Sequence, residues 1–301
     1  MNVRCASREV RWKNQGAEVS KICFLSMDDM GSYVADDHLA IEPLSKLGIE
    51  VETLSWRQTV VSWGDFDAVI IRTPWDYQRS PQEFLQVLKQ IESETRLANS
   101  SAIAEWNFDK RYLSELEILG VAIVPTLWNE AFNAESFEQW KHALDADELI
   151  VKPVVSATAM HTYRLIIFDP SLVEVFSKRD FMVQPFVPTI VNEGEYSLFY
   201  FNGVYSHSIL KAPKSDDFRV QEEHGGIITA TEPCAKMVLA AESILTKVRE
   251  KLLYARVDLV RHNDNFALME LELIEPALYL RMDADAPSRF AVAIRNWLAA
   301  N

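Results

Sequence analysis

The chain has 301 residues, 49% of them hydrophobic, enough to bury one large core or to divide into two or three lobes. A formal charge of −14 argues against general nucleic-acid binding, and no apolar run approaches the roughly 20 residues that cross a bilayer. Residues 1–20 lack the apolar stretch of a secretory signal, and Cys5, Cys23 and Cys234 are odd in number and far apart, so reduced thiols in a cytoplasmic protein are expected.

Residues 1–20 are polar and aperiodic and read as an extension, poorly ordered or added at an edge. Then the chain alternates: 22–27, 49–54 and 67–72 read as strands, 38–47 as a helix stopped by Gly48. Ser80-Pro81-Gln-Glu-Phe84 opens a further helix, with serine as cap and glutamate three residues on. Strands alternating with helices predict a parallel α/β lobe over 21–100. Between Leu97 and Pro125 a short strand and a helix over 108–119, closed by Gly120, form the joint to a second lobe.

Further strands are expected at 148–153, 163–168 and 181–187. The run 195–201, Asn202-Gly203 and 204–211 is a hairpin signal. Helices over 235–251 and 288–300 complete what reads as two α+β subdomains, 101–185 and 186–301.

Leu268-Met-Glu-Leu-Glu-Leu-Ile-Glu275 is a strand with two carboxylates, Glu270 and Glu272, on one face of an otherwise apolar segment. Tyr254-Ala-Arg-Val-Asp-Leu-Val260 supplies a third, Asp258, across a hairpin loop. Carboxylates brought together repel unless protons or a cation neutralise them, and an all-oxygen set suits Mg²⁺; a solvated sheet face is the bland alternative. With nine glycines and neither a dinucleotide fingerprint nor a P-loop, any bound phosphates need another device, for which Lys110 and Lys152 are candidates. His207, Trp12 and Trp56 are expected to pack. Arg72 and Asp76, just after a buried strand, are read as substrate contacts, because ligands of α/β sheets collect at carboxyl ends.

Six segments in order, Ile150-Val-Lys-Pro153, Val183-Gln-Pro-Phe-Val187, Gly194-Glu-Tyr-Ser197, Tyr205-Ser-His-Ser-Ile-Leu-Lys211, Asp217-Phe-Arg-Val-Gln221 and Met269-Glu-Leu-Glu272, resemble the ATP-grasp superfamily over about residues 21–300. Within it the likeness is to the glutathione-synthetase and RimK-like branch. Arg72-Thr-Pro-Trp-Asp-Tyr77 resembles the group of cyclo-ligases that form cycloserine from O-ureidoserine.

The resemblance implies an ATP-grasp fold, α/β plus α+β, whose subdomains enclose a nucleotide cleft. It also implies an ATP-dependent carboxylate-amine ligase that works through an acyl phosphate on small amino-acid-like substrates. By position, Lys110, Lys152 and Ser156 would contact ATP phosphates and Gln184, Pro185, Phe186 and Val187 would meet adenine. Glu193 or Glu195 would take the ribose or orient a lysine; Lys211 and Arg219 would act on the transferring groups. Asp258, Glu270 and Glu272 would hold Mg²⁺, with Mn²⁺ as a substitute. Read from its own place before Pro276, Glu275 either closes the acceptor pocket or faces solvent. Two departures stand out: Ser156 to His161 contains no glycine, and Glu272 stands where many relatives carry asparagine. The expected partners are a small carboxylate and an amine, with no nucleic acid or membrane and a homodimer left open. A nucleotide-binding module without turnover and a ligase adding amino acids to a protein tail are the competing readings.

Overall fold

The computed structural model describes residues 19–128, 130–156 and 159–300. The expected extension up to residue 18, with Cys5 and Trp12, lies outside the described residues, as do Ala157 and Thr158 of the loop after Lys152.

β1 (Ser20–Ser26), β2 (Ile49–Ser55), β3 (Ala68–Thr73) and β4 (Arg96–Ala98) form a parallel sheet in the order β2-β1-β3-β4. Both faces are covered, which explains why β3 is apolar at four consecutive positions and buried at all six. Ile22, Phe24 and Ile70 face α1 (Ile41–Lys46) and the C-terminal helix, whereas Leu25, Val69 and Ile71 face α2 (Pro81–Glu94). The helix expected over 38–47 is a 3-10 turn, Asp37–Ala40, followed by α1, and Gly48 ends it at φ +75°.

Of the helix expected over 108–119 only α4 (Tyr112–Ile118) forms, and an unexpected helix, α3 (Ser101–Asn107), precedes it. The Asp109 carboxylate accepts from Arg111 N at 2.9 Å, and Lys110 N donates to Val154 O at 2.9 Å. This turn therefore separates α3 from α4 and places Lys110, just before α4, against the next sheet.

That sheet is antiparallel, in the order β5-β8-β6-β7: β5 (Leu127–Trp128), β6 (Leu149–Pro153), β7 (Tyr163–Leu165) and β8 (Phe181–Pro185). α5 (Ala134–Leu144) and α6 (Val173–Phe176) cover it through Phe137, Trp140 and Phe176. β7 stops at Leu165, short of the expected residue 168, and Ile166 and Ile167 are exposed.

After α7 (Thr189–Asn192), β9 (Glu195–Phe201), β10 (Val204–Ala212), β11 (Ile227–Ala230), β12 (Tyr254–His262) and β13 (Asn265–Glu272) make a five-stranded antiparallel sheet, ordered β11-β10-β9-β12-β13. α8 (Ala235–Leu245) ends six residues before expectation, and α9 (Ala286–Ala299) is the C-terminal helix. α3, α4 and α8 cover one face of this sheet through Ile103, Leu113 and Ile244, packed with Leu198, Val257 and Leu268. The other face packs Phe199, Phe201 and Ile209 against α9 and, beyond them, borders a cleft against β6 and β8.

A bulge positions the cleft side chains of β13. Pairing runs Asp258↔Glu270 and then Leu259↔Leu268, so Met269 is the extra residue. Strict alternation would put Leu268 on the same side as Glu270. The bulge resets the phase: Leu268 and Leu271 enter the core, and Glu270 and Glu272 face the cleft.

Candidate active site

The register of β12 against β13 sets Asp258 opposite Glu270 and Arg256 opposite Glu272. One carboxylate oxygen from each of Asp258, Glu270 and Glu272 lies within 4.8 Å of the others. Asp258 is buried; it accepts from Ser197 Oγ at 2.6 Å, Arg256 Nη2 at 2.9 Å and Lys211 Nζ at 3.2 Å. Glu270 accepts from Lys110 Nζ at 2.9 Å, and Glu272 is paired with Arg256.

These environments drive the carboxyls apart. Burial alone would raise Asp258, but Arg256 and Lys211 outweigh it and hold the group at about 2. Burial is likewise outweighed at Glu270 by Lys110 and Lys152, which bring it below its usual value. Glu272 is pushed up to about 8, by burial first and then by Glu270 and Asp258, against the pull of Arg256. The cluster is thus short of positive charge. An all-oxygen set of this kind suits a hard divalent cation.

Lys110 Nζ also donates to Ser156 O at 2.7 Å, which ties the loop after β6 to the carboxylates. Lys152 projects from β6 into the same cleft, and among the described residues its ammonium has no ion pair; burial lowers its pKa. Lys211 on β10 is buried between Glu195 and Asp258, and those carboxylates outweigh burial and raise its pKa. Gln184, Pro185, Phe186 and Val187 line the facing wall, where Gln184 Nε2 donates to Thr126 Oγ1 at 3.0 Å and Phe186 N to Glu148 O at 2.8 Å. Arg219 overhangs from residues 213–226 and is held by Asp217 at 2.9 Å.

Three expected site residues stand elsewhere. Arg72 is 1% exposed and paired with Asp37, with Nη2 donating to Pro276 O at 2.9 Å, so it does not reach the cleft. Asp76 is taken by Arg57 and by Trp56 Nε1 at 2.8 Å. Both side chains are engaged in ion pairs within the N-terminal lobe. Of the two candidates Glu193 and Glu195, only Glu195 lines the cleft; Glu193 pairs with Arg261 at 2.7 Å and accepts from Tyr196 OH at 2.7 Å. Glu275 does line the cleft, beside the Tyr77 hydroxyl, with burial raising its carboxyl to about 7.

Residues 22–99 match the family described as D-cycloserine synthetase DcsG, N-terminal domain. The cycloserine biosynthesis protein DcsG of Streptomyces lavendulae is 30% identical over 84% of this chain and 91% of that protein. The chain belongs to the ATP-grasp ligases, in the D-cycloserine synthetase family. A crystal structure of D-cycloserine synthetase DcsG superposes with a TM-score of 0.79 at 27% identity, covering 93% of this chain and 100% of that one. The glutathione synthetase of Neisseria meningitidis serogroup B is 23% identical over 89% of this chain and 81% of that protein. The chain is accordingly an ATP-dependent C–N ligase, and the reading as a module without turnover is set aside.

This ATP-grasp ligase carries a cleft residue that sequence reasoning passed over. Arg256 is buried and bridges Asp258 to Glu272. The signal was available: it lies two residues before Asp258, so it shares that residue's face of β12. Tyr77 and Gln78 also line the cleft.

Proposed function

We propose that the protein activates a small amino-acid-like carboxylate with ATP as an acyl phosphate and joins it to an amine, releasing ADP and phosphate. The observation that carries this reading is the meeting of three carboxylates with Lys110, Lys152, Lys211 and Arg256 in one cleft. A carboxylate repels nucleophiles, so its oxygen must first be phosphorylated; an amine then displaces phosphate.

The donor set fits Mg²⁺, held by Asp258, Glu270 and Glu272. When bound, it would neutralise triphosphate charge and polarise the phosphoryl oxygens. Lys152, with no counter-ion among the described residues, offers its charge to ATP phosphate. Lys110 ties the loop after β6, through Ser156 O, to Glu270. Arg256, whose five N–H donors are not all used by Asp258 and Glu272, has capacity for the oxygen of the carbonyl under attack. Arg219 faces the same cleft from above. Catalysis on this reading is positioning and electrostatics, with no nucleophilic side chain.

Replacing Asp258 by Asn keeps the shape and removes one charge. ADP release with amino-acid and amine pairs, with product mass recorded, is expected to fall by more than the ~10–100-fold that outer-shell partners of a metal cost, while the far-UV circular dichroism of the free protein keeps its wild-type shape. Wild-type ADP release from that variant would refute the assignment.

A further inference from the structure

We infer that Asn107 and Tyr112 are positioning residues for the carboxylate cluster: their side chains hold the β13 backbone between Glu270 and Glu272, and so set how tightly those groups bind a divalent cation together with the nucleotide. This rests on the metal assignment made above and extends it to residues that would not touch the ion.

β13 is the last strand of its sheet, so the backbone groups on its outer side have no neighbouring strand of the sheet to bond. Before the bulge, residues 122–124 serve that side: Leu268 N donates to Ala122 O at 2.8 Å and Val124 N to Leu268 O at 3.4 Å. After it, side chains take over. Leu271 N donates to Tyr112 OH at 2.8 Å, Asn107 Nδ2 to Leu271 O at 2.8 Å, and Leu273 N to Asn107 Oδ1 at 3.0 Å. Asn99 Nδ2 continues the series, donating to Leu273 O at 2.7 Å. Leu271, Leu273, Asn99, Asn107 and Tyr112 are all buried, so loss of one partner would leave a peptide group unpaired and out of reach of water.

These bonds fall where the carboxylates need them. The N–H of Leu271 belongs to the peptide that follows Glu270, and its C=O to the peptide that precedes Glu272. Tyr112 therefore fixes the main chain of one glutamate and Asn107 that of the other. α3 ends on Asn107 and α4 begins on Tyr112, and the turn between them carries Lys110, which holds the Glu270 carboxylate itself at 2.9 Å. One stretch of six residues thus supports both the strand and a side chain that projects from it.

The glutamates depend on this support more than Asp258 does. Asp258 accepts from Ser197, Lys211 and Arg256, whereas Glu270 and Glu272 are each ion-paired with one cation. With fewer bonds at the carboxylate, their aim is set by the backbone beneath them, and partners behind a ligand govern its affinity for the ion.

The test is calorimetric titration of the whole chain with a non-hydrolysable ATP analogue, once in Mn²⁺ and once in EDTA, which isolates the metal-dependent part of binding. The wild-type chain is expected to bind the analogue more tightly in Mn²⁺. Tyr112→Phe removes a single oxygen and Asn107→Leu keeps the size of the side chain; each should lose about 10–100-fold of the affinity in Mn²⁺ and keep the wild-type value in EDTA. Asn133→Ala, at the start of α5 and away from the cleft, should match the wild type in both. Should Asn107→Leu fail to fold, Tyr112→Phe decides alone. Wild-type affinity of Tyr112→Phe in Mn²⁺, equal losses in Mn²⁺ and EDTA, or the same loss in Asn133→Ala would each overturn the positioning role and leave the metal assignment standing. A wild-type chain that gains nothing from Mn²⁺ would overturn that assignment, and the positioning role with it.

Discussion

The guanidinium of Arg72 is sealed between Asp37, the Pro276 carbonyl and the rings of Tyr254 and Phe290, 5.0 and 5.6 Å from their centroids. Truncation would strand Asp37 and the carbonyl, so Arg72→Ala is expected to lower the unfolding free energy by about 3–5 kcal/mol in urea denaturation. His207 gives a second residue-scale prediction. It stacks on Phe199 with Nε2 2.9 Å from Leu278 O, and burial pulls its pKa down to about 4. The unfolded chain then binds the proton more tightly than the folded one, so stability is lost as pH falls from about 6.5 through 4. His207→Gln should flatten that part of the stability–pH curve. The packed role of His207 was legible in the sequence, whereas the ion-pair partners of Arg72 and Asp76 were not. Their partners, Asp37 and Pro276 for one and Trp56 and Arg57 for the other, come from tertiary packing, and no local pattern names them.

At the scale of elements, periodicity located the main strands within a few residues because β1 and β3 of the parallel sheet and β9 and β12 of the last sheet are buried on both faces. Helix ends were less legible, since they depend on which side chain turns back on the backbone. Ser80 precedes Pro81 as a cap should, yet its hydroxyl accepts no bond, whereas Asn133 Oδ1 accepts from Ser136 N at 2.8 Å at the start of α5. Asn133→Ala is therefore expected to cost about 1 kcal/mol in denaturant titration, and Ser80→Ala only a few tenths. The β13 bulge shows the same limit at the site. Two-residue spacing correctly paired Glu270 with Glu272, but only the extra residue explains why Leu268 does not join them.

Across the molecule, Arg281 joins three distant parts: it meets Asp36 at 3.0 Å after the first strand and Glu222 at 2.7 Å on the 213–226 segment that carries Arg219. Arg281→Ala should free that segment, so limited proteolysis is expected to cut between residues 213 and 226 faster, with only a small loss in melting temperature because the pairs are partly solvated. Gly226 gives the segment its tight return, since a Cβ there would stand 2.0 Å from Val220 O.

The bonds from Trp75 to Glu275 and from Arg72 to Pro276 span 200 and 204 positions of chain. Gene fusions that splice the first hundred codons of one homologue onto the remainder of another would separate this buttress from the wall it supports. Because the acceptors are main-chain carbonyls, recombination libraries drawn across that seam should yield working hybrids when the parent of the first stretch supplies both the indole and the guanidinium.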